Sequence, residues 1–140
     1  MFGSGLIRGL GITARRLRQG PVTELYPYER KVPPAASRTF LTMRVTEDGA
    51  PSCKACNVCV VGCPDSVLRL VKHPEDNRRA LDFVVNSGRC TFCGLCVENC
   101  PHGALYFSQD FERATTDQST LIYHLVADGR ATLEGQAVER

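Results

Sequence analysis

The sequence predicts a small α+β fold made of two copies of one unit, each a strand, a cysteine loop, a short helix and a second strand. An amphipathic helix and an extended arm precede it, and an extension follows it. Three observations carry this expectation. All eight cysteines fall in two stretches, CKACNVCVVGCP at 53–64 and CTFCGLCVENCP at 90–101, and none lies elsewhere. Cys53, Cys56, Cys59, Cys63 and Pro64 recur 37 positions later as Cys90, Cys93, Cys96, Cys100 and Pro101. The flanks repeat as well, MRVTEDGAPSC answering to DFVVNSGRC and PDSVLRL to PHGALYF, with strand-like composition. Two such units, related by a pseudo-twofold axis, would pack around whatever the cysteines hold.

Residues 1–38 form the leading segment. Phe2, Leu6, Ile7, Leu10, Ala14 and Leu17 share one helical face, with Arg8, Arg15, Arg16 and Arg18 largely off it. Gly3, Gly5, Gly9 and Gly11 each cost a helix up to about 1 kcal/mol against alanine, so a surface has to supply the missing stability. Lipid headgroups or another subunit would serve. GPVTELYPYERKVPPA then carries four prolines and predicts an extended, irregular arm with Tyr26 and Tyr28 as anchors.

Residues 39–107 form the repeated domain. TFLTMRVT at 39–46 reads as a strand with Phe40, Met43 and Val45 set among polar positions, ended by the turn EDGAP. VKHPEDNRRALD between the repeats has the Pro, Asp and Asn of a surface hairpin, with His73 solvated in its turn. Residues 108–140 form the extension. In it, DQSTLIYHLVADG offers Asp117 as an N-cap, an apolar face of Leu121, Ile122, Leu125 and Val126, and Gly129 as a stop, which predicts a short helix with His124 in a structural role. The tail GRATLEGQAVER is polar and expected to be mobile or partner-bound.

Charge divides the chain. Residues 1–44 hold eight Arg and Lys against Glu24 and Glu29, whereas residues 45–140 hold nine against thirteen acids. A basic arm thus precedes an acidic body, and the amphipathic pattern of that arm directs it toward a membrane surface or a protein partner, with no nucleic acid expected. Three of the first four arginines follow the early apolar residues, and no twin-arginine export pattern is completed. The expected location is the cytoplasmic, reducing side of the membrane, where clustered cysteines mean metal.

Three cysteines at C-x2-C-x2-C bring three sulfurs to one side of a tight loop, which suits three corners of an iron–sulfur cube. The fourth cysteine, followed by proline, is expected to leave the loop into the start of a helix, since proline suits a first helical turn. In two-cluster proteins of this spacing the outgoing sulfur ligates the other cluster. The expected ligand sets are therefore Cys53, Cys56, Cys59 and Cys100 for one [4Fe–4S] cluster, and Cys90, Cys93, Cys96 and Cys63 for the other. Structural zinc uses paired knuckles from separate turns and fits this arrangement poorly, although a zinc-bound interaction module is the minor alternative. Gly62 and Gly94 are expected to let backbone N–H groups turn toward the sulfurs. Val58, Val60, Val61, Val67, Leu95, Val97, Ala104 and Leu105 are expected to exclude water. Asp65 and His102, after the two Cys–Pro steps, are expected to be solvent-exposed. No nucleophile with a base and no phosphate-cradling loop is recognisable, so no catalytic residue is assigned and the chain reads as an electron relay.

These motifs resemble the bacterial-type eight-iron, 2[4Fe–4S] ferredoxin family. GLIRGLGITARRL, GPVTELYPYERKVPP and GRCTFCGLCVENCPHGALYFSQDFERA with the later LIY are similar, more narrowly, to the two-cluster subunit of respiratory complex I and of energy-converting membrane-bound [NiFe] hydrogenases of the formate hydrogenlyase type. NSGRC and YFSQDFERA lie nearer the hydrogenase branch, while the Arg-Phe-Arg-Gly stretch often found before the first motif is present only as SRTF. The resemblance implies a peripheral subunit on the cytoplasmic face with its N-terminal helix near the membrane domain. It also implies a place among a small subunit bearing the terminal cluster, a large catalytic subunit and membrane subunits. A free-standing soluble ferredoxin is the alternative, and it would need neither arm nor tail.

Overall fold

The computed structural model describes residues 3–127 and 130–131. The chain divides between Val32 and Pro33 into two compact units, six residues before the boundary expected from sequence. Ser37 donates its amide to Pro34 and Arg38 bonds to Cys93, which ties the segment before Thr39 into the second unit.

The first unit contains helix α1 (Ser4–Arg18), as the periodicity predicts. Arg15, Arg16 and Arg18 occupy its last turn, where they complement the negative end of the helix dipole. No residue of α1 is buried, and Leu6, Ile7, Leu10 and Leu17 are largely exposed. Phe2 lies outside the described residues. The arm that follows is irregular, with a turn closed from Glu29 to Leu25 and an ion pair between Lys31 and Glu24. Tyr26 and Tyr28 are both exposed.

The second unit holds strand β1 (Leu41–Met43), helix α2 (Val58–Val61), strands β2 (Leu68–Lys72) and β3 (Ala80–Asn86), helix α3 (Leu95–Glu98), and strands β4 (Leu105–Phe107), β5 (Ile122–Ala127) and β6 (Arg130–Ala131). β1 and β4 make one antiparallel pair, with Met43 opposite Leu105. β2, β3, β5 and β6 make an antiparallel sheet in that order, with Leu68 opposite Val85. The strand after each cysteine loop thus pairs with the strand before the other, and the β2–β3 connection is the expected hairpin, closed by His73 N–H to Arg79. In β1 the buried residues are Leu41 and Met43, so Met43 is as expected, while Phe40 is half-buried and Val45, beyond the strand, is exposed.

Two expectations about helices are corrected. α2 and α3 lie before the Cys–Pro steps, spanning the third cysteine of each loop, and Cys63–Pro64 enters a turn in which Ser66 N–H donates to Cys63. Proline at position 64 therefore ends a helix instead of opening one, because it has no N–H to continue the ladder. The second correction is the C-terminal extension. Asp117 does cap a turn, its Oδ1 accepting from Ser119 N at 2.9 Å, but that turn is a short 3₁₀ segment at Gln118–Leu121. Residues 122–127 then form β5 on the open edge of β3. Tyr123, Leu125 and Val126 are buried there, and Val126 is packed with Phe83 and Val85 in the core. Ile-Tyr-His-Leu-Val favours a strand, and β3 supplies hydrogen-bond partners that an isolated helix would not find. The segment after 107 thus contributes Tyr123, Leu125 and Val126 to the core. Gly129, the expected stop, and most of the polar tail lie outside the described residues.

Candidate iron–sulfur sites

Each cysteine loop is held open by residues in unusual backbone conformations. Ala55 and Phe92 have φ near +51° and +52°, Asn57 and Gly94 have +68° and +88°, and Ser66 and Gly103 have +52° and +55°. Each pair is separated by 37 residues, the spacing of the cysteines themselves. A positive φ strains any residue with a Cβ, so four non-glycine examples in two short loops mark backbone shaped for a bound group. The result is that N–H groups turn toward sulfur. Ala55 N–H donates to Cys53 Sγ and Phe92 N–H to Cys90 Sγ, both at 3.4 Å, and Ala104 N–H donates to Cys100 Sγ at 3.3 Å. Gly94 has the positive φ that a turned loop needs. Gly62 does not: its φ is −79°, and what requires glycine there is close approach, since a Cβ would meet Asn99 Nδ2 and Val58 O at 3.2 Å.

The cysteines line two small hollows of similar size. Cys53, Cys56, Cys59 and Cys100 line the first, between an apolar wall of Leu70, Phe83, Ala104 and Leu105 and the polar groups of Lys54, Asn57 and His102. Cys63, Cys90, Cys93 and Cys96 line the second, with Leu41, Val67, Leu68, Phe92 and Phe107. Each hollow is thus lined by three cysteines of one loop and the fourth cysteine of the other. Among the described residues no three His, Cys, Asp or Glu side chains converge tightly enough for a single ion; four sulfurs ring a space instead. Four thiols, an apolar wall and inward N–H groups fit a four-iron cube.

Burial sets the electrostatics of the free thiols. Loss of solvent raises Cys53 and Cys90, an effect partly offset by the N–H bonds from Ala55 and Phe92. It pushes Cys59 up to about 12 and Cys96 up to about 11, with the neighbouring cysteines adding to it. Such thiols stay protonated near neutral pH, so metal binding at these positions releases protons.

The expected water-excluding set is only partly right. Val67, Ala104 and Leu105 are buried, Val60 and Val97 are half-buried, and Val58, Val61 and Leu95 on α2 and α3 are exposed. His102 is exposed, as expected, but also lines the first cavity. Asp65 is half-buried and paired: its Oδ2 accepts from Thr91 N at 3.0 Å and from Thr91 Oγ1 at 2.7 Å. Arg38, the arginine of the SRTF stretch, donates to the Cys93 carbonyl and bonds to Glu98 Oε1 at 3.1 Å. Neither contact has a local sequence signal, because the partners lie 26 to 60 residues away.

Comparison with known proteins gives the same group. Residues 52–104 match the family described as the 4Fe-4S dicluster domain. The chain is 37% identical over 128 residues to NAD(P)H-quinone oxidoreductase subunit I of Prochlorococcus marinus strain MIT 9303, covering 89% of this chain and 56% of that one. It is 35% identical over 128 residues to NADH-quinone oxidoreductase subunit I 2 of Streptomyces coelicolor, covering 82% and 62%. The chain thus spans little more than half the length of these curated relatives. Among solved structures, a chain of the membrane-bound sulfane sulfur reductase, an archaeal respiratory membrane complex, superimposes with a TM-score of 0.54 at 31% identity, over 76% of this chain and 53% of that one. Residues 52–104 therefore belong to the 4Fe-4S dicluster domain family, within a chain distantly homologous to subunit I of the NAD(P)H-quinone oxidoreductases and to a subunit of an archaeal membrane-bound respiratory complex.

Proposed function

We propose that the chain is an iron–sulfur electron-transfer subunit of a membrane-associated, complex I-like oxidoreductase. The observation that carries this reading is the make-up of the two cavities, each joining three cysteines of one loop to the fourth cysteine of the other. Cys53, Cys56, Cys59 and Cys100 ligate one [4Fe–4S] cluster in this account, and Cys90, Cys93, Cys96 and Cys63 the other. When bound, such clusters take up and give back single electrons.

The chain's own residues determine how that exchange is tuned. Ala55, Phe92 and Ala104 direct N–H groups at ligand sulfurs, which offsets thiolate charge and raises potential. Phe83, Leu105, Leu41 and Leu68 keep water from the inner walls. The two halves are related by a pseudo-twofold axis, a reading supported by the β1–β4 and β2–β3 pairings and by the paired positive-φ residues. Crossed ligation makes each cluster a link between the halves, and so replaces much of the apolar core that a chain this small lacks.

The exposed apolar face of α1 and its basic last turn suit a docking element for membrane subunits or the lipid surface beside them. No described helix is long and apolar enough to cross a membrane. The partners are then the small subunit with the terminal cluster, the large catalytic subunit and membrane subunits, on the cytoplasmic side. Anaerobic purification from native membranes, followed by iron and sulfide analysis and spin resonance, tests the proposal. Two four-iron centres in a chain that co-purifies with other redox subunits are expected. Zinc without iron, or recovery of the chain alone in the soluble fraction, would contradict it.

A further inference from the structure

The second cysteine loop carries a cation seat that the first lacks. Arg38 Nη1 donates to the Cys93 carbonyl, and Arg38 Nη2 bonds to Glu98 Oε1 on α3 at 3.1 Å. The guanidinium lies against Gly94, where a Cβ would stand 2.9 Å from Cζ, 3.0 Å from Nε and 3.1 Å from Nη1. Gly94 is glycine for its φ of +88°, and the missing Cβ lets the guanidinium rest directly on its backbone. Thirty-seven residues earlier the corresponding positions are Asn57 in place of Gly94 and Val61 in place of Glu98, so the seat is particular to one loop.

We propose that Arg38 is a positioning residue for the second cluster, holding the Cys93–Gly94 peptide in place and favouring that cluster's reduced state. This rests on the ligand assignment above. A reduced cluster carries one more negative charge, which a nearby guanidinium stabilises, while the carboxylate of Glu98 opposes it. Both side chains are about half exposed or more, so salt weakens the effect without removing it. Arginine suits the role because its planar fork bonds a carbonyl and a carboxylate at once, which lysine cannot do with the same geometry.

The test is an anaerobic redox titration followed by spin resonance on the intact chain in its complex, comparing wild type with Arg38→Gln, Arg38→Lys and Glu98→Gln. The second cluster is identified as the signal lost in Cys93→Ala. Arg38→Gln is expected to shift that cluster to more negative potential, with a several-fold fall in its reduced fraction at fixed potential. Glu98→Gln is expected to shift it the opposite way, and Arg38→Lys to stay nearer wild type than Arg38→Gln. The first cluster is expected to hold its value throughout. Shifts of the same sign in Arg38→Gln and Glu98→Gln, equal shifts of both clusters, or no shift would overturn the proposal. If Arg38→Gln fails to assemble, the sign in Glu98→Gln decides alone. A wild-type chain without two four-iron signals would overturn the ligand assignment itself before any variant is compared.

Discussion

Asp65 accepts hydrogen bonds from both the amide and the hydroxyl of Thr91, at 3.0 and 2.7 Å, and so joins the Cys63–Pro64 step of the first loop to the residue after Cys90 in the second. Both bonds are to a carboxylate, which strengthens them, and both are solvent-accessible, which weakens them. Asp65→Ala is expected to cost roughly 1–2 kcal/mol. Bleaching of the visible absorption in denaturant, followed anaerobically, measures it. The second cluster is expected to be lost before the first.

Tyr123 donates its phenol to the Leu41 carbonyl at 3.1 Å and is almost wholly buried. Burial is the main cause that raises its pKa above the ordinary 10, with Arg113 acting against it. The folded state then keeps a proton that the unfolded chain releases. The stability this contributes is complete below pH 10 and is lost as pH rises toward the folded pKa, at about 1.4 kcal/mol per pH unit. Tyr123→Phe lacks that dependence and loses the hydrogen bond, costing about 1 kcal/mol at neutral pH. Denaturation at pH 8 and pH 11 checks the sign: the advantage of wild type over Tyr123→Phe is expected to shrink at the higher pH.

Phe83 on β3 and Val126 on β5 are fully buried together in the core, and Phe83 also lines the first cavity. Truncation before Asp117 removes β5 and exposes this wall. It is expected to abolish cluster retention, whereas Phe83→Ala is expected to cost roughly 3–5 kcal/mol and to affect the first cluster more. Iron content after gel filtration distinguishes these outcomes.

Deletion of residues 1–20 takes away α1, none of whose residues is buried. Both clusters are expected to remain and the chain to leave its complex. Iron per chain and sedimentation with the membrane fraction report the two effects separately; loss of iron would assign α1 a structural part.

How much of this was legible in the sequence depended on where the controlling interaction lies. The two-cluster domain could be read because the C-x2-C-x2-C spacing is local chemistry, whereas the helix expected after each Cys–Pro step lies before it. The hairpin at HPEDNRR could be read from its turn residues. β5 could not: Leu121, Ile122, Leu125 and Val126 satisfy a helical period as well as Tyr123 and Leu125 satisfy a strand, and the open edge of β3 decides between them. The positive φ of Ala55, Asn57 and Phe92 is imposed by the loop as a whole, with no glycine to announce it. Arg38 and Asp65 find their partners only when distant segments meet.

The central claim is crossed ligation, and single cysteine variants examined by spin resonance test it most directly. If Cys100 belongs with the first loop's cluster, Cys56→Ala and Cys100→Ala leave the same surviving signal, and Cys93→Ala and Cys63→Ala leave the other. Pairing of Cys56→Ala with Cys63→Ala, and of Cys93→Ala with Cys100→Ala, would contradict the account.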